Sequence, residues 1–277
     1  MTTEQLEEII ERALAEDLPD ITSDAIFGAG EGGRASFLMK ADGVIAGLAA
    51  AGAVFAVLDA ESRFTALMKD GDRVRPGDIV ATVTGTVRAL LSGERTALNL
   101  LQRASGIATL TRQFVDAVEG TNAGIYDTRK TAPGLRALDK AAVVAGGGRN
   151  HRFGLHDMFL VKNNHVDRAG SIRAAVERIR AAGPPKPLMV EVRDLRELEQ
   201  ALALNPDFIL LDNMTTDLMR EAVRITAGRI PLEASGGVNL DTVRAIAETG
   251  VERISVGALT HSVMAMDISM RIVGSSE

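Results

Sequence analysis

DFILLDNMTTDLMREAVRITAGRIPLEASGG, Asp207–Gly237, sets two short apolar runs around one amphipathic segment. DFILLD and PLEASG have the length and composition of buried strands. TDLMREAVRIT between them carries the 3.6-residue rhythm of a helix. A buried strand, a helix and a second buried strand make a parallel βα unit. The rhythm continues outward. GIYDT, DMFLVK, LMVEV and RISVG read as strands, and PGLRALDKAAVVA, SIRAAVERIRAA, LRELEQALAL and LDTVRAIAETG as helices. Right-handed crossovers then close a barrel or build an open doubly wound sheet. A full eight-unit barrel takes about 250 residues. The region after Gly124 is shorter, so six or seven units are expected.

The first hundred residues read differently. MTTEQLEEIIERALAED is an amphipathic helix with Leu6, Ile9, Ile10, Ala13 and Leu14 on one face. RASFLMKADGVIAG alternates enough for strand, and LAAAGAVFAVLD is a helix candidate. FTALMKDGDRVRPGDIVATVTGTVRALLSGE reads as short antiparallel strands divided by Asp-Gly and Pro-Gly turns. DGDRVRPGDIV also has the look of a swinging-arm carrier, with Lys69 just before the turn. GERTALNLLQRASGIATLTRQFVDAV is helical, with a break expected at Gly106 and Arg95 in its first turn. A cation there opposes the helix dipole, which makes sense beside an anion.

Composition narrows the function. Hydrophobic residues are 46% and charged residues 25%, as in ordinary globular chains. There is no cysteine, so disulfides, thiolate catalysis and Cys-ligated zinc are impossible. The net charge of −6 argues against a general nucleic-acid surface but not against a local basic pocket. No run is long enough for a membrane span, and the N-terminus lacks the pattern of a secretory leader, so a cytoplasmic location is expected.

The chemistry gathers at strand ends. YDTRK ends on Arg129 and Lys130, DMFLVK on Lys162, DFILLD on Asp212, and LMVEV carries Glu191 near its end. PLEASGG ends on Ser235, Gly236 and Gly237. RISVGALTHS runs into Gly257, Ala258 and His261. In a parallel barrel the C-terminal strand ends meet at one mouth. One charge there is easily a solvated terminus; six successive polar ends point to a shared pocket. Its basic side comprises Arg129, Lys130, Arg152, Lys162 and the candidate His151. Guanidinium groups grip carboxylates in bidentate fashion, so a substrate with more than one carboxylate is expected. Glu191 and Asp212 oppose them and suit Mg²⁺ or a developing cation. SGG and GAL, ahead of the last two helices, suit phosphate. His156 reads as exposed and His165 as a loop fastener. Lys162 could alternatively be a Schiff-base lysine activated by desolvation. An anion-binding module without catalysis is a further alternative.

Seven motifs in order then resemble the quinolinate phosphoribosyltransferase family across essentially the full chain: GERTALNLLQRASGIAT, DTRKTAPGLR, GGGRNHRFGLHD, VKNNH, LLDN, EASGG and VGALTHS. The resemblance implies an N-terminal α/β sandwich domain over residues 1–106 and an incomplete (β/α) barrel over 107–265, with residues 266–277 free to pack back on the first. It implies a homodimer, open to higher assembly, in which Arg95 reaches the neighbouring subunit's site. The implied reaction joins quinolinate to phosphoribosyl pyrophosphate with Mg²⁺, giving nicotinate mononucleotide, pyrophosphate and CO₂. Arg129, Lys130, Arg152 and Lys162 would hold the carboxylates, with His151 beside them. Lys130, Lys162, Glu191 and Asp212 would be the catalytic set, the last two facing the ribose and the metal, directly or through water. Ser235, Gly236, Gly237, Gly257, Ala258 and Leu259 would line the phosphate region, with His261 nearby. A molybdenum-associated relative of the same fold resembles the chain less well across GGGRNHRFGLHD. Two positions depart from the family pattern: Met189 stands where Glu is frequent, and Asn163 where Asp is common.

Overall fold

The protein was studied as a computed structural model that describes residues 3–183 and 185–273. The elements in chain order begin with α1 (Thr3–Leu14), α2 (Ile21–Ile26), β1 (Gly32–Met39), β2 (Gly43–Val44) and α3 (Leu48–Leu58). β3 (Arg63–Ala66), β4 (Arg73–Val74), β5 (Ile79–Thr86) and α4 (Val87–Ala117) follow. Then come β6 (Gly124–Tyr126), α5 (Arg136–Ala145), β7 (Phe159–Val161), α6 (Asn163–Ala169), α7 (Ile172–Ala181) and β8 (Leu188–Val192). The chain continues with α8 (Leu195–Leu202), β9 (Phe208–Asp212), α9 (Thr216–Thr226), β10 (Leu232–Ser235) and α10 (Val243–Ala247). It closes with β11 (Arg253–Ser255), α11 (Ala258–His261) and β12 (Ile268–Val273). Two compact units result. The first is drawn from Met1–Arg112, Thr131–Gly147 and Ser262–Glu277, the second from Gln113–Lys130 and Gly148–His261.

The first unit is built on an antiparallel sheet in the order β12-β1-β5-β3. β12 pairs with β1 from Arg34↔Val273 to Met39↔Ile268. α3 is apolar almost all round, which suits a buried helix, and it buries Leu48, Ala50, Ala51, Val54 and Phe55. Phe37, fully buried, meets Phe55 and Phe64 edge-on at 6.1 and 5.7 Å. Such pairs add about 1 kcal/mol each beyond their burial.

Three expectations fail here. VRALLSG is not strand: α4 starts at Val87, directly after β5. Arg95 therefore lies in the third turn of a 31-residue helix, away from the dipole's positive end. Gly106 does not break α4, which crosses the expected boundary at 106/107 uninterrupted. That glycine is needed for space, since a Cβ there would stand 2.1 Å from the Met264 carbonyl oxygen.

α5 belongs to the first unit although it lies between two barrel strands in sequence. Its fully buried Asp139 is gripped by Arg103 through two bonds of 2.8 Å, and its Oδ2 also accepts from Ala132 N at 3.1 Å. Removing the guanidinium strands a buried carboxylate, so Arg103→Ala should cost about 3–5 kcal/mol in a urea-unfolding experiment.

The second unit is a parallel sheet in the order β6-β11-β10-β9-β8-β7. All five residues of β8 are buried, as expected of a strand covered on both faces. Three of its helices start on polar caps: Ser171 for α7, Asp194 for α8 and Thr215 for α9 each accept a first-turn N–H. β6 and β7 stand at the two ends of the strand order. Beside β6 the segment at Arg149 adds a single bridge to Tyr126. The barrel is thus incomplete, with six named strands. Met189 is fully buried in an apolar cluster with Met158 and Leu210, against Leu160 and Phe208. A thioether fits that site, where the family's glutamate would need a charge partner. No helix among the described residues is long and apolar enough to cross a membrane.

Candidate active site

Parallel register brings the polar strand ends side by side. Ser235 of β10 pairs with Asp212 of β9 and with Ser255 of β11, which pairs with Tyr126 of β6. Asp212, Ser235 and Ser255 line a cleft of about 730 Å³ in the second unit. Arg129, Lys130, His151, Arg152, Lys162, Glu191, Asp212, Ser235, Gly236, Gly237, Gly257, Ala258 and His261 all line it. Of the expected residues, Leu259 and Arg95 do not. Leu259 is fully buried, its side chain packed into the core. Arg95 is exposed on α4 in the first unit.

The basic side is a crowd of cations held by backbone anchors. Thr128 Oγ1 accepts from Lys130 N at 3.0 Å, and Thr260 Oγ1 donates to the Lys130 carbonyl at 2.9 Å. Gly257 allows this closeness: a Cβ there would lie 3.0 Å from Lys130 Cδ and 3.1 Å from the His261 ring. Arg152 Nη1 donates to the Met158 carbonyl at 3.0 Å. Burial, and then the positive charge of Arg129, weaken the hold of the Arg152 guanidinium on its proton, with Asp157 opposing. Cations forced together out of water are stabilised by an incoming anion.

The opposite wall is acidic and laced with amides. Lys162 Nζ lies 3.2 Å from Glu191 Oε2, and Asn163 N donates to Glu191 Oε1 at 3.1 Å. Asp212 accepts from Asn163 Nδ2 at 3.2 Å and from Asn213 Nδ2 at 2.9 Å. Asn213 sits in the left-handed region at φ 53. A Cβ at Gly236, itself at φ +99, would fall 2.1 Å from the Asn213 Oδ1. Burial first, and then the charge of Glu191, raise the Asp212 pKa above its ordinary value, against the pull of Lys162 and the two amides.

The Asn163 departure therefore has a consequence. An aspartate there would replace a donor to Asp212 with a third negative charge. Asn163→Asp should move the acid limb of the pH–rate profile to higher pH, by about one unit for each ~1.4 kcal/mol of added repulsion. A pH profile of kcat for the two proteins checks this.

SGG lies ahead of α10, which begins at Val243. Gly236 and Gly237, at φ +99 and +61, line the cleft. The remaining histidines behave as read: His156 is exposed beside Asp157 at 3.0 Å, and His165 Nδ1 accepts from Lys162 N at 2.9 Å. Lys162, half-exposed and ion-paired, is not the desolvated amine a Schiff base requires. Among the described residues no three His, Asp or Glu side chains group to hold a metal.

Glu233, Asn213, Thr128 and Ser255 also line the cleft and were missed. Glu233 had a signal, an acid in the middle of a short apolar strand. Asn213 is the last residue of LLDN, and its positive φ was not legible there.

Residues 107–271 match the family described as Quinolinate phosphoribosyl transferase, C-terminal domain, and residues 20–105 match the corresponding N-terminal domain. The probable nicotinate-nucleotide pyrophosphorylase [carboxylating] of Bacillus subtilis is 43% identical over 276 residues, 99% of this chain and 95% of that protein. The Mycobacterium leprae nicotinate-nucleotide pyrophosphorylase [carboxylating] is 46% identical over 269 residues, 94% of this chain and 95% of its own length. The crystal structure of NadC from Streptococcus pyogenes superposes with a TM-score of 0.94 at 39% identity, covering 99% of this chain and 98% of that one. These matches support the quinolinate phosphoribosyltransferase reading and not the aldolase or molybdenum-associated alternatives.

Proposed function

The chain belongs to the quinolinate phosphoribosyltransferase family, and from that premise we propose that it joins quinolinate to phosphoribosyl pyrophosphate, releasing pyrophosphate and CO₂. The observation that carries the reading is one cleft lined by four cations, Arg129, Lys130, Arg152 and Lys162, by the carboxylates Glu191, Asp212 and Glu233, and by the glycines Gly236, Gly237 and Gly257. Arg129, Lys130, Arg152 and Lys162 take the two carboxylates of quinolinate, and the Ser235–Gly237 turn with Gly257 and Ala258 takes phosphate.

As the bond from ribose to pyrophosphate lengthens, positive charge grows on the sugar. Glu191 and Asp212 stabilise it as fixed charges that need no reorganisation. The cations hold the pyridine nitrogen in line for attack. Its electron pair forms the new bond to the ribose carbon, and the old bond's pair leaves with pyrophosphate. The quaternary nitrogen then lets the adjacent carboxylate depart as CO₂, with the carbon's electron pair stabilised by the cationic ring until it takes a proton.

Mg²⁺ fits the donor set: hard oxygen ligands, too few for a closed site, with room for substrate phosphates. Glu191 and Asp212 would hold it, directly or through water, and it would neutralise the departing pyrophosphate. The rise in the Asp212 pKa marks a spot that gains from a cation. We assign Arg95 a role in the neighbouring subunit of a homodimer, where an exposed cation on α4 completes the quinolinate pocket. A cytoplasmic location agrees with the absence of cysteine.

The test is a product assay with quinolinate, phosphoribosyl pyrophosphate and Mg²⁺, with nicotinate as the control acceptor. Nicotinate mononucleotide from quinolinate alone is the expected result. Its absence, or equal use of nicotinate, would count against the reading.

A further inference from the structure

Beneath the mouth of the cleft lies a column of charge. Glu233 of β10 is fully buried. Its Oε2 accepts from Arg253 Nε at 2.7 Å, and its Oε1 faces His151 Nε2 at 3.4 Å. That oxygen, hidden from solvent, has no hydrogen-bond partner among the described residues. Arg253 lies between two rings, 3.9 Å from the centroid of Tyr126 and 4.6 Å from that of Phe208. Above, His151 N donates to the fully buried Asp127 at 2.8 Å, and His151 Nδ1 accepts the backbone N–H of Arg152 at 2.7 Å.

These contacts decide where the imidazole keeps its proton. Nδ1 needs a free lone pair to accept from Arg152, so it carries no hydrogen. Nε2 must then hold the single proton and aim it at Glu233, whose oxygen would otherwise be buried unpaired at a cost. A second proton would set an N–H at Nδ1 against the Arg152 N–H. The Arg253 guanidinium already balances the Glu233 charge, and burial of that acid is outweighed by His151 and Arg253, which together hold its pKa below the ordinary value. His151 is thus a link with both ring nitrogens engaged by the protein.

We propose that Glu233 and His151 are positioning residues for quinolinate: Glu233, braced by Arg253, fixes the His151 tautomer, and His151 in turn fixes the backbone from which Arg152 reaches the cleft. The kinetic part rests on the reaction proposed above; the tautomer does not.

The experiment has two arms. Long-range ¹H–¹⁵N correlation at neutral pH reads both ring nitrogens, and with 4 histidines in the chain assignment by His151→Asn is direct. A protonated Nε2 and a bare Nδ1 are expected; a proton on Nδ1, or on both, overturns the proposal whether or not the protein turns over quinolinate. In the second arm Glu233→Gln keeps an acceptor for Nε2 but removes the charge that braces Arg253. The KM for quinolinate should rise about tenfold while that for phosphoribosyl pyrophosphate stays within about twofold. Equal rises for both substrates would reduce Glu233 to a structural role. His151→Asn, whose oxygen can still accept from Arg152 N, should retain more quinolinate affinity than His151→Leu, and the reverse order would also overturn the assignment. If the wild type makes no nicotinate mononucleotide, the proposed reaction falls, and the tautomer alone decides the positioning claim.

Discussion

Replacing Arg152 by alanine is expected to raise the KM for quinolinate about a hundredfold and leave the fold intact. Loss of a charge-assisted bond to a carboxylate in a desolvated cleft costs about 2–5 kcal/mol of binding. The fold loses little. Arg152 gives one bond to the Met158 carbonyl, worth about 1 kcal/mol, and its charge is disfavoured where it stands, by burial and by Arg129. Initial rates with each substrate varied in turn, beside a far-ultraviolet circular dichroism spectrum, separate the two effects. An unchanged KM would remove Arg152 from the substrate pocket.

Asp212→Asn should produce the other large effect, on kcat rather than KM. A carboxylate aimed at developing positive charge is worth about 10²–10³ in rate. The variant should be no less stable at neutral pH. The Asp212 pKa is raised by burial and by Glu191, so the proton-bound form is the one the fold favours. Its stabilising contribution is present below the unfolded-state value and lost as pH rises through the higher folded value. At neutral pH the native protein bears the cost of the ionised side chain, and the amide removes it. The melting temperature and single-turnover rate of the variant check both halves. In the wild type the same shift means activity falls with acid sooner than an ordinary aspartate would dictate.

Much of this was legible in the residues, and what was not has physical causes. The parallel strands declared themselves because buried β8, β9 and β10 must be continuously apolar, and Glu191 and Asp212 stood out against that background. The unbroken α4 was hidden because Gly106 has two meanings, helix breaker and close-approach residue, and only a distant carbonyl at Met264 selects between them. α5 was assigned to the barrel by rhythm, yet its buried Asp139 pairs with Arg103 in the first unit, a choice made by tertiary partners. His151 stood out as a site residue, but its partners Glu233 and the Arg152 N–H did not, because the strand register and the turn bring them to it.

The pairing of β12 with β1 has a consequence for synthesis. The second unit's residues lie wholly between β1 and β12 in the chain. On the ribosome the barrel strands emerge and can pair while β1 still shows one unpaired edge. That edge, whose Ala35, Phe37 and Met39 side chains are buried in the finished sheet, stays open until residue 273 clears the exit tunnel. Exposed edges invite pairing with other chains. Truncation before Ile268 should therefore leave a chain with an assembled barrel that accumulates in inclusion bodies, and a peptide spanning Ile268–Val273 supplied in trans should compete for the vacant edge.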